Sequence, residues 1–427
     1  MSAPTRKSPL GEVFRLFLRL GLTAFGGPAA HIGLMEREAV ERRGWMSRTH
    51  FLDLVGACNL LPGPSSTQMA MTLGYSRAGF MGLAIAGACF ILPASLATLA
   101  LAWAYVRFGS LPQAQGLLYG AKPVMVAIIV QAIWNLGRMA FRGWRLALGG
   151  LACFAAVLAG APAILVLLAS GGVALGLAAW PGSRPAAAMG LAALPLQTAV
   201  KPLPVKGTGF IPCMNSAKAV EVFAPEGGFS GILRGMRPLS ALCSVINGAA
   251  VCTVGLVPIL FVFLKLGVVV FGSGYVLIAF LKADLVDRLH WITESQLLDA
   301  ITAGQITPGP VFATATFLGY LLRGWAGAAV ATAAIFLPSF LLAALVGALA
   351  IHIRKSKLAA AFLDGVNAAA VALMAAVAIV LGRATLVDGW TWALGLASVA
   401  LLVRYKVNAT WLILAGAGLG ILLERLA

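Results

Sequence analysis

Apolar runs long enough to cross a bilayer recur along almost the whole chain. A crossing needs about 20 mostly apolar residues. Stretches near 12–34, 51–75, 79–106, 116–137, 145–160 and 162–180 qualify, and so do 259–281, 296–322, 324–351, 358–382, 389–403 and 408–424. Between the two sets, residues 181–237 are rich in Pro, Gly and Lys and hold no long apolar run, which reads as a connecting loop. Residues 238–258 turn apolar again and are expected to form a further crossing. The pattern predicts an all-α polytopic membrane protein with 12 or 13 transmembrane segments. Its parts are an N-terminal repeat (1–180), a linker (181–237), the extra crossing (238–258) and a C-terminal repeat (259–427).

Composition sharpens this. Of 427 residues, 60% are apolar and 11% charged, too few polar groups to cover a soluble chain of this size. The net charge of +17 is expected to lie in loops against an anionic leaflet. No run of five or six Lys/Arg occurs, so nucleic acid is not an expected partner. The six cysteines form no CxxC pair and have no His at ligand spacing, so neither a metal nor a disulfide framework is expected. No phosphate-binding Gly-x-x-x-x-Gly-Lys-Ser/Thr loop and no dinucleotide fingerprint is present, so no cofactor is expected.

The halves repeat. Phe17-Leu18-Arg19-Leu20-Gly21 matches Phe263-Leu264-Lys265-Leu266-Gly267 at an offset of 246. The same offset aligns Phe25-Gly26-Gly27 with Phe271-Gly272-Ser273, Asp53 with Asp299, Asn59 with Gln305, and Pro62-Gly63-Pro64 with Pro308-Gly309-Pro310. After the loss of one residue the offset is 245, aligning Gly74-Tyr75 with Gly319-Tyr320 and Leu92-Pro93 with Leu337-Pro338. Ordered matches of rare residues mark a duplication. Loop charge predicts that the copies are inverted, with the N-terminus and the basic linker on the cytoplasmic side of the inner membrane. Inverted repeats are a common ground plan of secondary transporters, with the site near the midplane between the repeats.

The two Pro-Gly-Pro triplets carry the expected chemistry. Two prolines flanking a glycine remove backbone donors and stop a helix. Interrupted backbone at membrane depth is tolerated where it is buried in protein or lines a wet cavity. A helix opening after Pro64 or Pro310 aims free N–H groups and a positive dipole end at one spot, an anion niche. Hydroxyls follow at Ser65, Ser66 and Thr67 in one copy and Thr314 in the other, with Thr307 just ahead. A structural kink is the plainer reading, weakened because the motif occurs twice. Arg19 and Lys265, embedded in apolar sequence, are candidate anion-attracting cations, with snorkelling as the alternative. Gly26, Gly27, Gly272 and Ser273 mark a second pair of breaks, through which backbone would approach either a neighbouring helix or the ligand. Asp53, Asp299 and His31 are candidates for coupling transport to protons.

Taken together, Phe25–Ile32, Leu61–Thr67, Phe271–Leu277 and Gln305–Val311 resemble the chromate ion transporter family, long two-domain form. The resemblance covers both halves. It implies a transporter that exports chromate from the cytoplasm and confers chromate resistance, with sulfate as the substrate of some relatives. Asn59 stands where relatives often carry Gln. Alternatives in other classes are a passive anion channel and a membrane-embedded enzyme built on Cys58 and His31, although a single asymmetric site sits poorly with motifs present twice. The expected partners are the oxyanion, the lipid bilayer and, as an assembly left open, a second copy in a homodimer.

Overall fold

The computed structural model describes residues 8–25, 27–109, 111–141, 144–179, 243–246, 249–252, 254–271, 274–353, 357–405 and 407–426. Gly26, Gly272, Ser273 and the linker at 181–237 lie outside the described residues. The protein is helical throughout both repeats. The first half consists of α1 (Pro9–Thr23), α2 (Gly27–Glu36), α3 (Arg48–Leu60), α4 (Ser65–Phe108), α5 (Pro112–Ala140), α6 (Trp144–Leu158) and α7 (Ala163–Ala179). The second repeats the series as α8 (Leu256–Val269), α9 (Val276–Leu281), α10 (Glu294–Ile306), α11 (Thr314–Ile353), α12 (Lys357–Thr385), α13 (Gly389–Arg404) and α14 (Ala409–Leu426). α2 and α9 each run on into a π-type turn, Arg37–Arg42 and Lys282–Arg288. In the stretch read as an extra crossing, Cys243–Ile246 (β1) pairs antiparallel with Ala249–Cys252 (β2), and α8 begins at Leu256.

Local chemistry sets these boundaries. Ser8 caps α1, with proline at its start, and Ser47 caps α3. Capping boxes open α10 (Thr293 with Gln296) and α13 (Asp388 with Thr391), in each case satisfying two orphan N–H groups reciprocally.

Among the described residues, four segments are long and apolar enough to cross a bilayer: Ser65–Phe108, Ala114–Arg138, Val311–Leu345 and Ala361–Thr385. Phe80, Met81, Leu341 and Trp411 are between 64% and 70% exposed. Large apolar side chains turned outward suit hydrocarbon, not water.

The segments read as single interrupted spans reverse direction instead. Arg19 lies 3.7 Å from Glu38, whereas a continuous helix would put them about 28 Å apart at ~1.5 Å per residue. Cys58 Sγ lies 3.7 Å from Thr72 Oγ1, so α3 and the start of α4 form a second hairpin. Lys265 bonds Asp284, and Gly304 packs on Thr314, giving the same two hairpins in the second half. The chain reverses once more inside the long helices, at Ala78-Gly79 and Arg323-Gly324, where the glycines have φ of 64° and 59°. Few residues other than glycine adopt such a conformation, so Thr316 Oγ1 meets Thr332 Oγ1 at 2.7 Å across the fold.

These reversals fix the orientation of the repeats. Arg77, at the end of the second hairpin, bonds Glu12 near the start of α1, so both hairpins of the first half open toward one face. Helix 80–108 then runs away from that face, and its far end places Tyr105 against Asp299 of α10. At that end the second half has its own mouth, where Arg323 bonds the Val254 carbonyl ahead of α8. The copies therefore enter the molecule from opposite sides.

Candidate functional site

The two Pro-Gly-Pro elbows meet the opposite half of the molecule. The Gly63 N–H donates to the Val270 carbonyl at 2.6 Å, and the Gly309 N–H donates to the Ala24 carbonyl at 2.9 Å. Each acceptor sits at the end of the other half's first helix, just before its Phe-Gly break. Gly63 and Gly309 hold φ of 110° and 105°, and each lies against the other half's long helix. A Cβ on Gly63 would stand 2.8 Å from Ser339 Oγ, and one on Gly309 2.7 Å from Ala94 Cβ. Gly27, with φ of 81°, faces the Tyr275 hydroxyl across the same centre. Two loops folded from opposite faces are thereby cross-tied where the halves join.

Each elbow opens a helical turn that has no side-chain cap, α4 after Pro64 and the turn Val311–Ala313 after Pro310. Buried helix ends ordinarily find partners for their first N–H groups. The surroundings are polar. Ser65, Ser66, Thr67, Gln68, Thr307 and Thr314 are all buried. Among the described residues, Thr67 Oγ1, Gln68 Oε1, Ser95 Oγ, Thr314 Oγ1 and Ser339 Oγ have no hydrogen-bond partner. Buried polar atoms are bonded in the great majority of cases, so five without a partner at the two elbows stand out. Gln68 also ties its own elbow, donating to the Pro62 carbonyl at 2.5 Å, and Thr307 Oγ1 meets Thr98 Oγ1 at 3.1 Å.

The embedded cations have partners that sequence spacing did not link to them. Lys265 Nζ lies 2.8 Å from Asp284, with Arg288 3.6 Å from the same carboxylate. Arg19 is 3.7 Å from Glu38, which also binds Arg42 at 2.8 Å and Arg43. Glu38 and Asp284 occupy equivalent positions, each drawn inward by the π-type turn that follows the second helix. Burial pulls the Glu38 carboxyl up, but the hydrogen bond and charge of Arg43 with the charges of Arg42 and Arg19 outweigh it and hold the group below its ordinary value. The first cluster is open to the surface, with the Arg19 side chain 60% exposed; the Lys265 side chain is 20% exposed.

The remaining candidates fall in distinct places. Gln305 is buried and bonded to the Tyr275 side chain, whereas its counterpart Asn59 is exposed. His31 is buried in the first half, its Nε2 3.2 Å from the Ala24 carbonyl and its ring edge-on to Phe90. Asp53 is half-buried on α3. Asp299 is buried at the floor of a cavity of about 720 Å³, where it accepts a hydrogen bond from Tyr105 at 3.0 Å and pairs with Lys122 at 3.2 Å. Tyr105 and Lys122 were missed from sequence. Neither is duplicated, since Ala350 and Asn367 take the equivalent positions, so a search for twinned motifs passes over them.

Comparison with known proteins agrees with this architecture. The family described as "Chromate transporter" matches residues 11–177 and 257–421, one block in each half. The chain is 32% identical over 418 residues to a chromate transport protein of Cupriavidus metallidurans, spanning 98% of this chain and 93% of that one. A chromate transport protein of Pseudomonas aeruginosa is 30% identical over 379 residues, 88% of this chain and 81% of its own. An uncharacterized transporter of Bacillus subtilis is 32% identical over 134 residues, which make up 31% of this chain and 75% of that one, a relative about one repeat long. No solved structure matches the chain.

Proposed function

The chain belongs to the chromate transporter family, and from that premise we propose that it is a secondary active transporter exporting chromate across the cytoplasmic membrane, thereby conferring chromate resistance. The observation that carries the reading is the pair of cross-tied elbows, each opening an uncapped helical turn amid unpartnered polar atoms. Such an arrangement suits a tetrahedral dianion. The first N–H groups after Pro64 and Pro310 point positive dipole ends at it. Ser65, Ser66, Thr67 and Thr314 offer hydroxyl donors, and Gln305 and Asn59 offer amides. Arg19 and Lys265 add positive charge from the inner hairpins, reduced in each case by the paired carboxylate.

Alternating access follows from the inversion. Each half's hairpins open to their own face while their tips share one centre, so tilting one half against the other exposes the centre to either side in turn. The N-terminus lies in the cytoplasm in this reading, and Asp53, Asp299 and His31 carry the coupling protons. Uptake of labelled chromate and sulfate into inside-out vesicles, with and without an imposed proton gradient, tests the proposal. Chromate accumulation that a protonophore abolishes is the expected result. Flux that never exceeds its own gradient would make the protein a channel, and accumulation of sulfate alone would reassign the substrate.

A further inference from the structure

We propose that Lys122 is the receiving cation for the oxyanion at the second half's mouth, with Asp299 as a resident counter-anion that the arriving dianion displaces. The inference rests on the transport reading and adds where the anion is first held. The cavity of about 720 Å³ is lined by Lys122, Asp299, Ser295, Tyr105 and Trp390, ample for a tetrahedral anion with several waters at ~30 Å³ each. Lys122 Nζ lies 2.7 Å from Ser295 Oγ and 3.2 Å from Asp299 Oδ1. Its side chain keeps 22% of its surface open, whereas that of Asp299 keeps 3%. The cation is thus within reach of a solute and the carboxylate lies behind it, the order a receiving site for anions needs.

A polar ladder leads inward from this pair. Tyr105 donates to Asp299 Oδ2 at 3.0 Å. Two turns back along α4, Thr98 meets Thr307, the residue before Pro308. Ser95, one turn further, has a buried hydroxyl without a partner among the described residues. The line from Lys122 therefore ends at the second elbow. The opposite mouth is built otherwise. Asp53 stands where Asp299 does, but Asn367 and Ala350 replace Lys122 and Tyr105. The Lys122–Tyr105–Asp299 set thus has no equivalent in the other copy.

The charges give opposite expectations for the two partners. In proteoliposomes assayed by exchange of labelled for unlabelled chromate with no proton gradient, so that coupling is not read, Lys122→Met raises KM at least tenfold and Lys122→Arg largely restores it. Asp299→Asn lowers KM, because the ammonium no longer has an internal competitor. Lys122→Met/Asp299→Asn leaves no unpaired buried charge and keeps wild-type thermal stability in detergent, yet its KM stays high. Recovery of wild-type KM in that double variant would show a merely structural ion pair and overturn the proposal, as would an unchanged KM in Lys122→Met. Failure of the wild-type protein to carry chromate would instead bring down the transport reading itself.

Discussion

In the second half the Tyr275 hydroxyl reaches the buried Gln305 beside the Pro308 elbow, and Lys265 is chelated by Asp284. At the matching places in the first half stand Ala29 and an exposed Asn59, and Arg19 shares Glu38 with two further arginines at the surface. Both copies kept the backbone devices: the elbow glycine, the fold-back at Gly79 or Gly324, the π-type turn and the tie to the other half. They diverged in the side chains around them. Under the proposed function, shared backbone with unlike side chains would let one centre be reached from two faces under different rules. The machinery that folds must be common, while the surfaces that admit and release the guest need not be.

If the backbone devices are equivalent, they should break alike. Gly309→Ala and Gly63→Ala each combine a left-handed conformation, costing ~1–2 kcal/mol, with an intrusion on Ala94 or Ser339 costing ~1–3 kcal/mol. Both variants should lose transport, with matching falls in thermal stability in detergent; a large effect in one alone would deny the symmetry.

The cations should separate the halves. Lys265→Ala removes two charge-assisted hydrogen bonds from the buried Asp284 and leaves it the longer contact with Arg288 at 3.6 Å, costing ~1.5–3 kcal/mol. Arg19→Ala leaves Glu38 with Arg42 and Arg43, within ~1 kcal/mol of wild type. Chromate flux should fall in both with membrane insertion intact, while the melting temperature drops in the Lys265 variant. Wild-type flux in both would remove the pair from the mechanism.

Tyr275→Phe deletes a buried hydrogen bond worth about 1 kcal/mol and should raise KM for chromate by loosening Gln305. Asn59→Gln, at an exposed position, should change stability by no more than about 0.5 kcal/mol; a larger effect on KM than that of Tyr275→Phe would move the recognising amide to the first half.

The smallest effect concerns acid. Because Glu38 is held below its ordinary value, its cluster contributes stability that is complete above the usual glutamate range near ~4.3 and is lost as pH falls through the lowered value. Wild type should therefore lose more stability than Glu38→Gln below that range, read as the difference in melting temperature across an acid titration.

Much of this molecule was written in the chain. Pro62-Gly63-Pro64 and Pro308-Gly309-Pro310 end helices because proline lacks an N–H and glycine accepts a positive φ. Such local covalent facts need no neighbours to operate. The duplication was equally legible, since rare residues recur in order. The reversals at Gly79 and Gly324 were not, because an apolar run has the same composition whether it continues or folds back. The partners of Arg19 and Lys265 were also hidden: a separation of 19 residues becomes a contact only after the hairpin has closed. Lys122 and Asp299 are 173 and 4 residues, respectively, from Ser295, and no periodicity links them.

The sequence by itself determined where the backbone must break, that it breaks twice, and that the surroundings are hydrocarbon. Tertiary structure alone decided that each break is tied to the opposite half, that the embedded cations are neutralised nearby, and that one mouth holds a lysine over a buried aspartate. The reason is physical. Chain breaks arise from the bonds of single residues, whereas charge pairing and cavities depend on which distant surfaces packing brings within a few ångströms.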